Sequence, residues 1–249
     1  MTVSIKLTDV SKRFRVNLGS SFLARLVVDR IRRRPPRIRD HWALKNIDLE
    51  IHAGDSVGIV GNNGSGKTTL LSLIAKTMYP TSGTVEVHGR VGSLLELGAG
   101  FHPDLTGVEN IYLNASLLGL QRHEVDERLE SIIAFADIGE YVDAPLSTYS
   151  SGMYARLGFS VIAHIDPDIL LIDEVFAVGD ATFTEKSERT IQKFLSRGCT
   201  FLVVSHGIQQ VQRICKKAAW IDRGRLMAFG PADEVCGRYL EAMHSVPAS

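Results

Sequence analysis

"SVGIVGNNGSGKTTLLSLIA", residues 56–75, holds three kinds of local structure in sequence. Residues 56–60 form a short apolar run of the length of a buried strand, and residues 69–75 are apolar and helical. Between them Gly61, Asn62, Asn63, Gly64, Ser65, Gly66, Lys67 and Thr68 match G-x-x-x-x-G-K-[ST], with Thr69 opening the helix. The glycines let the backbone bend so that successive N–H groups face one anion, and the helix N-terminus adds the positive end of its dipole. Lys67 is then placed to reach the β- and γ-phosphates of a nucleotide and Thr68 to ligate Mg²⁺. Strand, loop and helix together specify a phosphate-binding loop.

Composition narrows the class. The chain has 249 residues, 45% hydrophobic and 22% charged, which suits an ordinary soluble globular chain of one large domain or two small ones. Its 28 basic and 28 acidic residues cancel, so bulk charge points to neither nucleic acid nor membrane. Cys199, Cys215 and Cys236 are odd in number and lack metal-type spacing, as expected of reduced cytosolic thiols. The N-terminus has no apolar core of a signal peptide, and no apolar run approaches the roughly 18 residues of a membrane span. A cytoplasmic protein is expected, whose membrane role would need a partner.

Two more strand ends carry candidate chemistry. In "DILLIDEVFAVGD" the apolar run 169–172 reads as a central strand ending at Asp173 and Glu174. Acidic residues at the carboxyl end of a parallel strand point at the ligand crevice, so Asp173 is expected to hold the metal and Glu174 to polarise the attacking water. "CTFLVVSHG" repeats the arrangement, with a strand over 200–204 followed by His206. If that strand runs beside the Asp173 strand, the imidazole comes near the γ-phosphate. Asp180 closes the turn after the acidic pair.

Between the phosphate loop and the acidic strand lies a largely helical insertion, about 104–164, and in it "TYSSGMYARL". Tyr154, Leu157, Val161, Ile162 and Ile165 recur at helical spacing, and Ser150 reads as the N-cap. Ser150, Ser151 and Gly152 also strip that helix start of bulk and fill it with donors, as a second anion site would require. One chain is unsuited to fold both helix starts onto one nucleotide; a head-to-tail dimer can, each copy capping the γ-phosphate bound by its partner.

This set of motifs, in this order, resembles the ATPase domains of the ATP-binding-cassette (ABC) family along nearly the whole chain. "GNNGSGKTT" is similar to their Walker A, "ILLIDE" to their Walker B, "YSSGM" to their signature, "AVGD" to their D-loop and "SHG" to their H-loop. The resemblance implies an α/β fold: a P-loop, RecA-like core with an antiparallel β-subdomain (about 1–98 and 165–230), an inserted helical subdomain (about 99–164) and a C-terminal helix (about 231–249). It implies ATP and Mg²⁺ as ligands, a homodimer that sandwiches ATP, and Phe14 as the adenine-stacking aromatic, with Trp42 as its rival. The usual Q-loop glutamine is absent, and Glu96 is the nearest polar residue that could reach the metal. The signature departs from LSGGQ, keeping the leading serine and one glycine.

Those departures, with "LLELGAGFHPDLTGVENIYLN" and "DEVFAVGD", resemble the ATPase subunits of bacterial polysaccharide exporters for O-antigen, capsule or teichoic acid. That subgroup implies a peripheral protein at the cytoplasmic face of the inner membrane, two copies of a separate membrane-spanning permease, a lipid-linked glycan as substrate, and no nucleic acid. The carbohydrate-binding domain that some O-antigen exporters append is expected to be missing, since the chain closes on "YLEAMHSVPAS". An apolar then basic insertion, ending in "RIRRRPPRIR" (30–39), separates a first strand at about 3–7 from the next at about 47–51, and is expected to face anionic lipid headgroups.

Overall fold

β3 (Ser56–Val60) is buried along its whole length, as a strand covered on both faces must be. The computed structural model describes residues 2–17, 38–93, 100–173, 180–205 and 207–244. In it β3 lies inside a six-stranded sheet whose other members are β5 (Val91–Ser93), β6 (Ile169–Ile172), β7 (Thr200–Val204), β8 (Lys217–Asp222) and β9 (Arg225–Pro231). The order is β5-β6-β7-β3-β8-β9; all pairings are parallel except that of β9 with β8. The β7 strand lies beside β6, as the motif order required, and separates it from β3.

Alternation along these strands divides the core in two. Ile59, Leu171 and Leu202 face one side, where α1 (Lys67–Ile74) is wedged between the large sheet and a second, three-stranded antiparallel sheet. That wedge explains why Leu70, Leu71, Leu73 and Ile74 are all fully buried, while Thr68, Thr69 and Ser72 keep some exposure on the remaining side. The alternate residues Val60, Leu170, Ile172, Phe201 and Val203 face the other side, under α6 (Ala181–Ser196), α7 (Ile208–Ile214) and α8 (Ala232–His244).

The antiparallel sheet, ordered β2-β1-β4, is built from β1 (Val3–Asn17), β2 (Ile38–His52) and β4 (Ser82–Val87). Both long strands exceed the sequence expectation of 3–7 and 47–51, and the reason is local. Bulges interrupt the β1–β2 register at four places, three of them between Leu7 and Arg13, and each one flips the side-chain alternation that marks a strand. Asp9 and Asn46 adopt positive φ of 50° and 48° at the bend, and the Asn46 side-chain amide donates to the Asp9 carboxylate. The apolar then basic insertion lies outside the described residues as far as residue 37, whereas Ile38 and Arg39, the last two residues of its basic run, open β2.

The helical region comprises α2 (Gly107–Leu117), α3 (Arg122–Asp126), α4 (Leu129–Ala136) and α5 (Ser151–Ala163), with two 3₁₀ turns between α4 and α5. It has its own core, including Ile111, Ile132, Leu157, Val161 and Ile165. Thr106 and Glu109 form a reciprocal capping box at the start of α2. The loop ahead of it is held by Asn110, which is fully buried. Its amide donates to the carbonyls of His102, Leu105 and Thr106 at 2.9–3.0 Å and its Oδ1 accepts from the His102 N–H at 2.7 Å.

Asn110→Ala would leave those buried backbone groups without partners. The expected loss is about 2–4 kcal/mol, more than one hydrogen bond's net worth because the desolvation cost of the orphaned groups remains. It is read as a lower urea midpoint at unchanged slope.

Candidate nucleotide site

The phosphate loop leaves β3 at Gly61 and enters α1 at Gly66, and glycine is required at both corners. Gly61 has φ 147°, and a Cβ there would come 2.0 Å from the Ile221 carbonyl oxygen at the end of β8. Gly66 has φ 110°, and its Cβ would lie 2.4 Å from the Ala43 carbonyl oxygen of β2. The loop is therefore pinched between the two sheets, beside the crevice at the carboxyl ends of β3, β6 and β7.

Lys67 is buried, and its ammonium donates to the carbonyls of Gly61 at 2.8 Å and Asn62 at 3.0 Å. Burial pulls its pKa below the ordinary lysine value, and the negative charge of Asp173 works against that shift. Thr68 donates its hydroxyl to the Asp173 carboxylate at 3.2 Å. The two residues expected to share a metal are thus brought together from α1 and the end of β6. An oxygen-only pair of this kind fits Mg²⁺, which takes one or two protein ligands and otherwise keeps water and phosphate oxygens.

These groups open onto a cavity of about 430 Å³ that is also lined by Phe14, His41, Asn63, Gly64, Thr69 and Val204. Strand register distinguishes Phe14 from Trp42. Phe14 pairs with His41 across β1 and β2, and both line the cavity. Trp42 pairs with Arg13 one step along, on the opposite face, where the Arg13 guanidinium lies 5.4 Å from its ring centre.

Ser150 caps α5, accepting from the Met153 N–H at 3.2 Å, and Ser151 is exposed at the same end. Among the described residues, the lining of the phosphate cavity includes none of Ser150, Ser151 and Gly152. Asp180 is the N-cap of α6, accepting from the Phe183 N–H at 2.9 Å. Glu174, His206 and Glu96 lie outside the described residues. Val204, two positions before His206, reaches the cavity.

Arg156 was not singled out from the sequence, although it is the one charged residue within α5. Its guanidinium donates to the Ala136 carbonyl at 3.0 Å and to the Asp137 carboxylate at 2.6 Å, both at the end of α4. It also lies 3.5 Å from the Asp180 carboxylate and 5.1 Å from the Phe183 ring centre. One side chain thereby joins the Ser-Ser-Gly helix to the helix that follows the acidic strand. A lone arginine in an apolar helix was the signal available for it.

Comparison with known proteins agrees with this geometry. Residues 44–177 match the family model described as ABC transporter. The chain is 51% identical over 205 residues to an O-antigen export system ATP-binding protein, RfbB, of Klebsiella pneumoniae, covering 82% of this chain and 83% of that one. It is 43% identical over 208 residues to a teichoic acids export ATP-binding protein, TagH, of Enterococcus faecalis, covering 84% of this chain and 46% of that one. Among solved structures it is similar in fold to a dimeric ATP-binding cassette in a post-hydrolysis state bound to ADP and Pi, with TM-score 0.71, 22% identity and coverage of 92% and 98%.

The Arg156 cluster separates two energetic contributions. Arg156→Met keeps an apolar stem and loses the hydrogen bonds of a charged group, for an expected loss of about 2–3 kcal/mol. Asp180→Ala removes an N-cap and should cost about 1 kcal/mol. Asp180 is 62% exposed, so the direct ion pair contributes little, and the double variant should fall within about 0.5 kcal/mol of the sum. Urea unfolding of the four proteins measures all three values.

Proposed function

The chain belongs to the ABC transporter family, and from that premise we propose that it is the ATP-hydrolysing subunit of an exporter of lipid-linked polysaccharide, O-antigen or a similar glycan. The observation that carries the reading is its likeness, over most of both chains, to an O-antigen export ATP-binding protein. The geometry of Lys67, Thr68 and Asp173 at the end of the phosphate loop supports the hydrolytic half.

Each residue then has a chemical task. Phe14 stacks on the adenine, and the loop N–H groups with Lys67 hold the phosphates. Thr68 and Asp173 hold Mg²⁺, which when bound neutralises charge developing on the β- and γ-phosphate oxygens. Glu174 orients the attacking water, and His206 contacts the γ-phosphate. Ser150, Ser151 and Gly152 serve the nucleotide of the other copy in a homodimer, a reading supported by the exposure of both serines and by none of the three lining their own chain's cavity. Asp180 lies where the two copies meet.

No helix among the described residues is long and apolar enough to cross a membrane. In this reading two copies of a separate permease supply the membrane passage, and the ATPase dimer binds at its cytoplasmic face. ATP closes the dimer, hydrolysis reopens it, and the alternation moves the glycan.

Glu174→Gln should keep nucleotide binding and lower turnover about 10²–10³-fold, the range for loss of a general base. In cells lacking the native copy it should also abolish the surface polysaccharide. Wild-type hydrolysis by that variant would remove Glu174 from the mechanism, and surface glycan unaffected by deletion of the protein would refute the export role.

Phe14→Ala should weaken ATP binding about 5–30-fold, corresponding to about 1–2 kcal/mol for a lost aromatic stack, whereas Trp42→Ala should leave it within about twofold. Fluorescence titration with a labelled adenine nucleotide distinguishes the two.

A further inference from the structure

The phosphate loop is touched by more than the elements that carry it. Three contacts reach it from the last part of the chain, each on a different loop residue. The Ile221 carbonyl closes on Gly61, as described above. The Gly224 N–H, in the turn between β8 and β9, donates to the Ser65 carbonyl at 2.9 Å, while its own carbonyl accepts from the Lys45 N–H at 2.7 Å. The Tyr239 hydroxyl, on α8, donates to the Asn62 side-chain oxygen at 3.2 Å. The first two are backbone contacts that need glycine at 61 and 224; the third depends on a single phenol.

That phenol is well placed to act at a distance. Tyr239 is 7% exposed, and its ring packs against Trp220 of β8 with centroids 5.8 Å apart. Burial, and then the nearby Asp222 carboxylate, raise its pKa, so it stays a neutral donor. Asn62 accepts from Tyr239 with its side chain and from the Lys67 ammonium with its carbonyl. A chain of two hydrogen bonds therefore runs from the C-terminal helix through one loop residue to the lysine that faces the phosphates.

We propose that Tyr239 is a positioning residue of the nucleotide site: it fixes Asn62, and through Asn62 the carbonyl that aims Lys67, so that α8 sets the affinity of the loop for the triphosphate. The inference rests on the ATPase reading above. Tyr239 is not among the residues that line the phosphate cavity, and its effect should fall on binding rather than on the chemical step.

The test uses the full chain, with Mg²⁺ and the β,γ-imido analogue of ATP as the binding probe and ATP for turnover. Tyr239→Phe keeps the ring against Trp220 and removes only the hydroxyl. It should raise the Kd for the analogue about three- to tenfold, the range of one hydrogen bond, and raise KM for ATP in parallel while kcat stays within about twofold. Asn62→Ala should raise Kd by a similar factor, and the double variant by no more than either single change, because both cut the same link. An unchanged Kd in Tyr239→Phe overturns the proposal, even if the variant unfolds at lower temperature. Multiplicative effects in the double variant overturn it equally. Wild-type protein with no affinity for the analogue removes the ATPase reading and this inference together, an outcome distinguished by the wild-type titration itself.

Discussion

The closest constraint in the molecule is steric. The carbonyl oxygens of Ile221 and Ala43 stand where Cβ atoms on Gly61 and Gly66 would have to go, so the phosphate loop is clamped between the last parallel strand and the antiparallel sheet. Neither clamp can be relaxed by moving a side chain, because both partners are backbone. The loop thus holds its curvature before any ligand arrives. Everything that faces the crevice is positioned relative to this fixed point.

From the clamp outward, period-two alternation does the rest of the placement. Successive residues of β3, β6 and β7 fill two separate cores, one around α1 and one under α6, α7 and α8. With both faces committed to packing, the chemistry is left to the carboxyl ends of the strands, which is where Lys67, Thr68, Asp173 and Val204 meet. The small sheet adds Phe14 and His41 from the side, and its register decides which aromatic reaches the cavity.

The helical region solves a different problem. The start of α5, capped by Ser150, is not part of the lining of the nucleotide cavity, and α5 is joined to α6. A shared aromatic cluster, Phe135 and Phe159 against Phe183, makes that connection together with polar clasps. Asn110 ties the loop before α2, and Arg156 ties α5 to the ends of α4 and α6. The polar contacts are directional, so they fix orientation at little cost in buried area.

The sequence by itself determined the local pieces: the strand, loop and helix around Lys67, the buried runs that became β6 and β7, and the Ser150 cap of α5. Each is written in a few adjacent residues through period, glycine or capping chemistry. It also determined the family, because the motifs occur in one order along one chain. Only the tertiary structure decided the long reach of β1 and β2, since bulges erase the alternation that betrays a strand. Only it separated Phe14 from Trp42, because that choice depends on cross-strand register. It alone joined Arg156 to Asp180 and Tyr239 to Asn62, residues 24 and 177 positions apart. A lone arginine in an apolar helix can be noticed, but its partner leaves no local mark, because a hydrogen bond between distant segments depends on where folding brings two backbones.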